Sequence, residues 1–295
     1  MFKIILNNIF DTAIIGSGPA GFSAVLNLYA RKKKIILFGN FKFSAIYKAK
    51  KIKNYLGEKE ISGLELLDKF YNHINSVNID HISKNVSQIF YNNEIFSINC
   101  DNNIYFSKTI ILATGVSRQK NIKNEEKFLG RGVSYCATCD GIFFRNKTIC
   151  IISYDKSQEH EIIFLSKLAK KIYLFFDYKK ININTNKDNV IILQDTVKEI
   201  IGENNLVGVS FYDRNKILEC DGVFIFKKSI SPKELLSGIK INKDKSIKIN
   251  KNCETNLSGV YACGDCAGGI YQLNKAIGEA QIAAQNAAKF LDKNF

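Results

Sequence analysis

Apolar residues recur along this chain in two alternating rhythms, one fitting buried strands and one fitting helices. Thr12-Ala13-Ile14-Ile15 is a short unbroken run of the kind that forms a strand buried on both faces. Phe22 to Ala30 then places apolar residues at helical spacing, and Lys34-Ile35-Ile36-Leu37-Phe38 predicts a second strand. Residues 61–78 return to helical spacing behind Ser62, a residue suited to capping. Strands alternate through roughly 86–112 and end on Ile110-Ile111-Leu112. The same rhythm then recurs, with a strand at Thr148 to Ile152, a helix at Gln158 to Ala169 and a strand at Lys171 to Phe176. Residues 190–226 alternate strands and turns, Gly259 to Ala262 predicts a further strand, and a helix from Leu273 to Leu291 carries closely spaced small residues. Strands alternating with helices predict an α/β fold with parallel sheets, and 295 residues accommodate about two domains.

The two strand–helix–strand units differ in the turn after their first strand. In the first unit it is Gly16-Ser17-Gly18-Pro19-Ala20-Gly21, where glycines allow a tight turn, close approach of backbone to a pyrophosphate, and helix–strand packing. That predicts a dinucleotide site. The acidic residue that often ends the second strand and binds the ribose is missing, because Phe38, Gly39 and Asn40 stand there. In the second unit the turn is Ser153-Tyr154-Asp155-Lys156-Ser157, with no glycine, so a backbone approach to pyrophosphate of the usual kind is not expected.

Composition narrows the classes. The chain is 46% apolar and 24% charged, as in globular proteins, and no apolar run approaches the roughly 20 residues of a membrane helix. Met1 to Asn8 lacks a small-residue cleavage site, and eight cysteines without an export signal point to a reducing, cytoplasmic setting. The formal charge is +14, with arginine only at 31, 118, 131, 145 and 214. Such a field steers acidic partners, although a general abundance of Lys, Asn and Ile accounts for it equally well. The charge is dispersed and accompanied by no nucleic-acid motif, so nucleic acid is not expected as a partner. His73 and His81 stand in polar, unpatterned surroundings and are expected to be solvated rather than ligands.

Redox chemistry enters at Cys136-Ala137-Thr138-Cys139-Asp140-Gly141. Two cysteines two residues apart close a small disulfide ring within one helical turn, and a helix start stabilises the attacking thiolate. The pair therefore reads as a dithiol–disulfide exchanger. A structural zinc site completed by Cys263 and Cys266 is the alternative from spacing alone.

With these pieces in order, the chain resembles the low-molecular-weight thioredoxin reductases over nearly its whole length. The matching residues are Gly16-Ser17-Gly18-Pro19-Ala20-Gly21, Asn54-Tyr55-Leu56-Gly57, Ala113-Thr114-Gly115, the Cys136–Gly141 stretch, and Gly264-Asp265 with Gln272. The resemblance implies two nucleotide-binding domains, Rossmann-like and of three-layer ββα type, the second inserted in the first. An FAD-binding domain would comprise 1–115 and 245–295, and the inserted cysteine domain 116–244. FAD would be held by the matched glycine turn, Gly39, Ala45, Ile46, Asn54, Ala113, Thr114, Gly115, Gly264, Asp265, Gln272 and Leu273. Asp265 would serve its ribityl–phosphate region, and Asn54 would approach the ring. Cys139 would face the flavin, Cys136 would attack the acceptor disulfide, and Asp140 would assist proton transfer, with domain rotation serving both partners. Cys263 and Cys266 would then surround the FAD motif rather than bind metal, and these two with Cys100, Cys150, Cys220 and Cys253 read as buried small residues.

Pyridine-nucleotide-dependent members carry a glycine-rich loop and a His-Arg-Arg run in the inserted domain. Here the loop lacks glycine, and Phe175-Phe176-Asp177-Tyr178 is followed only by Lys179 and Lys180, which lack arginine's bidentate fork. The combination resembles the ferredoxin-dependent flavin thioredoxin reductases. A ferredoxin near −400 mV feeding a thioredoxin near −270 mV releases about 6 kcal/mol over two electrons. The expected partners are thioredoxin as acceptor, ferredoxin as donor and a second copy in a homodimer. An NAD(P)H-dependent reductase with an atypical site, and a non-catalytic FAD-binding redox sensor, are the alternatives.

Overall fold

The computed structural model describes residues 9–92, 95–101, 103–116, 122–154, 156–178, 181, 183, 188–212, 216–227 and 230–295. Met1 to Asn8, Asp155, Lys179 and Lys180, singled out above, lie outside the described residues. The chain divides into two compact units, one of residues 1–117 with 230–295 and one of residues 118–229.

The first unit opens with β1 (Ile9–Ile15), α1 (Pro19–Tyr29) and β2 (Ile35–Phe38). The first strand begins three residues before the expected Thr12, since Ile9 to Asp11 extends the pairing. Then come α2 (Gly63–Asn75), β3 (Asp80–Ile82), β4 (Val86–Tyr91), β5 (Phe96–Cys100) and β6 (Asn103–Leu112). Ser62 caps α2 as its sequence position suggests: its hydroxyl accepts the Glu65 amide, and Glu65 returns a bond to the Ser62 amide at 3.0 Å. The sheet runs β3-β2-β1-β6-β5-β4 and is parallel from β3 to β6. β1 and β6 are in register with Ile14 opposite Ile111.

Residues after 229 complete this unit with α6 (Pro232–Leu235), β15 (Val260–Ala262) and α7 (Leu273–Asn294), the intervening elements belonging to the second unit. β15 adds a parallel strand beside Ile110 to Leu112 of β6. α7 buries Ala280, Ala283, Ala284, Ala287 and Ala288 completely against the face that α1 also covers. These small side chains permit close approach: the Ser23 hydroxyl of α1 donates to the Ile277 carbonyl of α7 at 3.0 Å. On the opposite face, Leu235, Leu236 and Ile239 pack with Ile89, Ile98 and Val260. That packing draws 230–244 into the first unit, so the chain returns at 230 rather than at the expected 245.

The second unit comprises α3 (Glu125–Phe128), β7 (Val133–Ser134), α4 (Ala137–Asp140), β8 (Thr148–Ser153), α5 (Glu159–Leu168), β9 (Lys171–Phe176), β10 (Val190–Ile192), β11 (Val197–Gly202), β12 (Leu206–Phe211), β13 (Leu218–Glu219) and β14 (Gly222–Phe226). A parallel sheet runs β10-β9-β8-β14-β7. Its one face packs against α5 through Ile149, Ile151, Leu165 and Phe224. Its other face packs against the antiparallel β11-β12-β13 meander through Cys150, Val209 and Val223. The result is the three-layer ββα arrangement. Among the described residues no helix is long and apolar enough to cross a membrane.

Candidate functional site

In the first unit the chain returns repeatedly to the carboxyl end of β1. Gly16 takes φ +119°, and a Cβ there would lie 2.1 Å from the Ala113 carbonyl oxygen. A Cβ on Gly21 would lie 1.8 Å from the Gly16 carbonyl oxygen. Both positions thus require glycine, the first for a left-handed turn and the second for close packing of α1 on the turn. Gly18 is the N-cap of α1 and Pro19 its first residue, leaving first-turn amides, Ala20 among them, unpaired by the helix. The hydroxyl of Ser17 is buried and has no hydrogen-bond partner among the described residues, an orphaned donor set into the turn. Gly39, at φ +122°, closes one side, where a Cβ would sit 3.1 Å from the Ser17 amide nitrogen.

The other side is built from the ends of β6 and β15. Ala113 hands its amide to the Ile15 carbonyl at 2.8 Å, and Thr114 and Gly115 follow. Gly264, at φ +76°, lies against Ala20, so that Gly264 and Asp265 meet the start of α1. The Glu279 carboxylate accepts the Gly264 amide at 2.9 Å, while the Lys275 ammonium donates to the Gly264 carbonyl at 3.1 Å and pairs with Glu279 at 3.0 Å. Lys275 also donates to the Gly268 carbonyl. This clamp was not anticipated, although an i, i+4 Lys–Glu pair is visible on the final helix. His81 corrects the expectation of a solvated ring: it is half-buried, contacts the Gly39 carbonyl at 3.0 Å through Nε2 and packs edge-on against Tyr71. His73 is exposed as expected.

Asn54 and Gln272, 218 residues apart, are joined by a bond from the Asn54 amide to Gln272 Oε1 at 3.0 Å. Asn274 donates to the Asn54 carbonyl at 3.2 Å, beside a cavity of about 570 Å³ lined by residues 53–59 and Asn274. Leu273 begins α7, and Ala45 and Ile46 lie on a single 3₁₀ turn, Ala45–Lys48, packed near Gly63. A glycine cradle with unpaired helix amides and an orphaned buried hydroxyl accommodates a pyrophosphate.

In the second unit Cys136 and Cys139 form a disulfide with Cα atoms 5.3 Å apart. Cys136 is the N-cap of α4, buried, and its sulfur accepts the Cys139 amide at 3.1 Å; Cys139 is half-buried. When the pair is reduced, that amide favours a thiolate on Cys136. The Asp140 carboxylate accepts the buried Ser134 hydroxyl at 2.6 Å, and Ser134 Oγ also accepts the Cys136 amide at 3.1 Å. Ser134 thus ties the acid to the cysteine, a link that the motif alone does not reveal. Just beyond, Ile142 and Phe143 are 53% and 68% exposed, an apolar surface beside the disulfide. In this disulfide the two sulfurs are bonded to each other and offer no thiolate to a metal. Cys263 and Cys266 are buried, with the Cys266 thiol donating to the Leu112 carbonyl at 3.3 Å. Burial pushes the Cys100 and Cys253 thiols up to about 12 and holds Cys263 well above the ordinary thiol value, so none is a nucleophile at neutral pH. Cys150 and Cys220 are likewise buried.

The carboxyl ends of β7, β8 and β14 form the place where an open parallel sheet receives a ligand, at the point of reversed strand order. Here that place holds side chains of the protein. Lys227, which follows β14, is 3% exposed and pairs with the 1%-exposed carboxylate of Glu125. Glu125 also accepts the Tyr135 hydroxyl at 2.5 Å and the Ile122 amide at 2.7 Å, and the Lys227 ammonium lies 4.6 Å from the Tyr135 ring centroid. Tyr154, which follows β8, is half-buried, with burial and the Glu125 charge raising its phenol above the ordinary value.

These sites can be set beside known proteins. Residues 10–153 and 180–287 match the pyridine nucleotide-disulphide oxidoreductase family. A thioredoxin reductase of Mycoplasma genitalium is 34% identical over 88% of this chain and 87% of its own length. A thioredoxin reductase of Buchnera aphidicola is 30% identical over 96% and 94% respectively. Among solved structures, a ferredoxin–flavin thioredoxin reductase of Clostridium acetobutylicum superposes with a TM-score of 0.88 at 40% identity, covering 97% of this chain and 99% of that one. With a redox-active cysteine pair beside a nucleotide-type fold, the chain belongs to the pyridine nucleotide-disulphide oxidoreductases, as a flavoprotein of the thioredoxin reductase type.

Proposed function

We propose that this protein carries electrons from a reduced ferredoxin, through FAD held by the first unit, to the Cys136–Cys139 pair and on to thioredoxin. The observation that carries the choice of donor is the filled strand-end crevice of the second unit. A dinucleotide bound there would need a glycine turn after β8 and open space beyond β14; instead Tyr154 and the buried Lys227–Glu125–Tyr135 cluster occupy it. Displacing them would break a buried ion pair, at a cost of about 3–5 kcal/mol before any contact with nicotinamide is made. The similarity to a protein described as a ferredoxin–flavin reductase supports the same reading.

The cradle of Gly16, Ser17, Gly18, Pro19, Ala20 and Gly21, with Gly39, Ala113, Thr114 and Gly115, fits the pyrophosphate of FAD, and Ser17 Oγ gains there the partner it lacks. Asp265 and Gly264 serve the ribityl side, and Ala45, Ile46, Asn54, Gln272 and Leu273 border the ring. Bound FAD supplies conversion of single electrons from the donor into the pair that a disulfide needs. In the second unit, reduction breaks the Cys136–Cys139 bond and leaves two thiols. The Cys136 thiolate attacks one sulfur of the acceptor disulfide, forming a mixed disulfide and releasing an acceptor thiolate. Asp140, held by Ser134, is the acid that supplies a proton there. Cys139 then attacks Cys136, restores the internal disulfide and frees the second acceptor thiol, so two electrons and two protons pass to the acceptor. Cys136 must be uncovered for that attack, since it is 7% exposed in the disulfide form.

The test is anaerobic reduction of the purified protein, followed by flavin absorbance, with reduced ferredoxin, NADPH and NADH offered separately. Bleaching by ferredoxin alone, then reoxidation by thioredoxin, is expected. Bleaching by either nicotinamide refutes the donor assignment.

A further inference from the structure

The +14 charge is spread over the chain, and one of its lysine-rich segments, 42–59, borders the proposed flavin site. Residues 42–59 contain six lysines, at 42, 48, 50, 51, 53 and 59, and all six are exposed. Within residues 42–60 two glutamates oppose them: Glu60 pairs with Lys51 and Lys53, and Glu58 pairs with Lys69. Lys48, Lys50 and Lys59 make no ion pair among the described residues, so their charge is free to act outward. At the centre stands Leu56, 93% exposed at the rim of the cavity that residues 53–59 form with Asn274. The Asn54–Gln272 bond brings the next stretch of chain alongside, where Ile270 and Tyr271 are 69% and 57% exposed. A leucine held almost entirely in water, with two more apolar side chains near and unpaired lysines around it, has the composition of a small protein-docking patch: apolar at the centre and charged at the rim.

We infer that this patch is the landing surface for a small acidic iron–sulfur electron carrier. Three features select that occupant. The rim is predominantly positive, which raises encounter rates with an acidic partner and turns it in flight. The apolar centre is small, as suits the low-area contacts of transient electron-transfer pairs rather than a permanent partner. Finally, the patch borders Asn54 and Gln272, proposed above to border the flavin ring, so a carrier seated on it is delivered to the group it must reduce. The inference rests on the donor reading above and adds where that donor binds.

The test compares two triple charge reversals. One, Lys42→Glu with Lys48→Glu and Lys50→Glu, is in the patch. The other, Lys32→Glu with Lys289→Glu and Lys293→Glu, makes the same change in net charge on exposed lysines elsewhere in the first unit, Lys289 and Lys293 lying near the far end of α7. Affinity for an acidic bacterial ferredoxin is measured at about 50 and 300 mM salt, alongside flavin content and the rate of flavin bleaching by dithionite. The patch variant should bind ferredoxin at least about tenfold more weakly at low salt and lose most of the salt dependence, with flavin content and dithionite bleaching unchanged. The distant variant should lose no more than about twofold. Equal losses in the two variants would mean that net charge alone matters and would overturn the inference. So would a patch variant whose only change is in oligomeric state, which would assign the surface to a second copy of the chain. If the patch variant keeps full affinity while ferredoxin bleaches the wild-type flavin, the docking surface falls and the donor reading stands. If ferredoxin fails to bleach the wild-type protein, the donor reading falls and this inference falls with it.

Discussion

The ion pair buried in the second unit makes a quantitative demand on the protein. Replacing Lys227 by methionine keeps much of the side chain's volume but leaves the Glu125 carboxylate, whose side chain has no solvent exposure, without its cation. Breaking a buried pair in this way costs about 3–5 kcal/mol. Two donors remain, the Tyr135 hydroxyl and the Ile122 amide, which pulls the expected cost to the lower end. The destabilisation should therefore be about 3 kcal/mol at pH 7. For a cooperative unit of roughly 110 residues, 3 kcal/mol lowers the melting temperature by about 12 °C. Calorimetry is the suitable assay, as the chain has no tryptophan to report unfolding. Adding Glu125→Gln should recover at least about half of the loss at pH 7. A cost below about 1 kcal/mol at pH 7 would refute the argument that these side chains form a tightly held plug.

Cys136→Ser or Cys139→Ser should abolish thioredoxin reduction while leaving flavin content at wild-type levels; multiple turnovers by either variant would remove the pair from the mechanism. Gly21→Ala should lower flavin occupancy of the purified protein at least tenfold, because its Cβ would fall 1.8 Å from the Gly16 carbonyl oxygen, and a normal visible spectrum would contradict the cradle. Thiol titration at pH 8 should find no fast-reacting cysteine in the oxidised protein and two after reduction; a third would mean that one of the six buried thiols opens readily. Burial raises Cys100 and Cys253 from 9.0 to about 12 and Tyr261 from 10.0 to about 12, each favouring the neutral form when folded. Their contribution to stability is therefore complete below pH 9 and is lost as the pH climbs toward 12, so the denaturation midpoint should fall progressively across that window and shift less when Cys253 is alanine.

Much of the first unit was legible because its signals are local. Gly16 to Gly21 announces its turn through residues that only that backbone path requires, and Ile110 to Leu112 announces a buried strand through apolar content alone. The disulfide was legible for the same reason, since three residues of spacing determine whether two sulfurs meet. What stayed hidden is pairing over long separations. Nothing in the surroundings of His81 points to the Gly39 carbonyl, and Ser134 looks like any other serine until its hydroxyl is seen on Asp140. The buried role of Lys227 is the extreme case, because an isolated lysine reads as surface and only its partner 102 positions away, Glu125, explains its burial. The return of the chain at 230 was misplaced for a related reason: Leu235, Leu236 and Ile239 form no periodic signal of their own and acquire a place only against β4, β5 and β15.

The position of β15 also has a consequence for biosynthesis. The strand that lies beside β6 and the helix that covers α1 are both encoded after the second unit, so the first 117 residues emerge from the ribosome with one sheet neighbour and most of a helix-packing face absent. At translation rates of about 5–20 residues per second, the remaining roughly 180 residues take on the order of ten to forty seconds to appear. During that interval residues 118–229, contiguous in sequence and equipped with their own core, can fold unaided. The order of folding would thus run opposite to the order of synthesis, with the nascent amino-terminal segment exposing Phe22, Val25 and Leu28 to chaperones until α7 arrives.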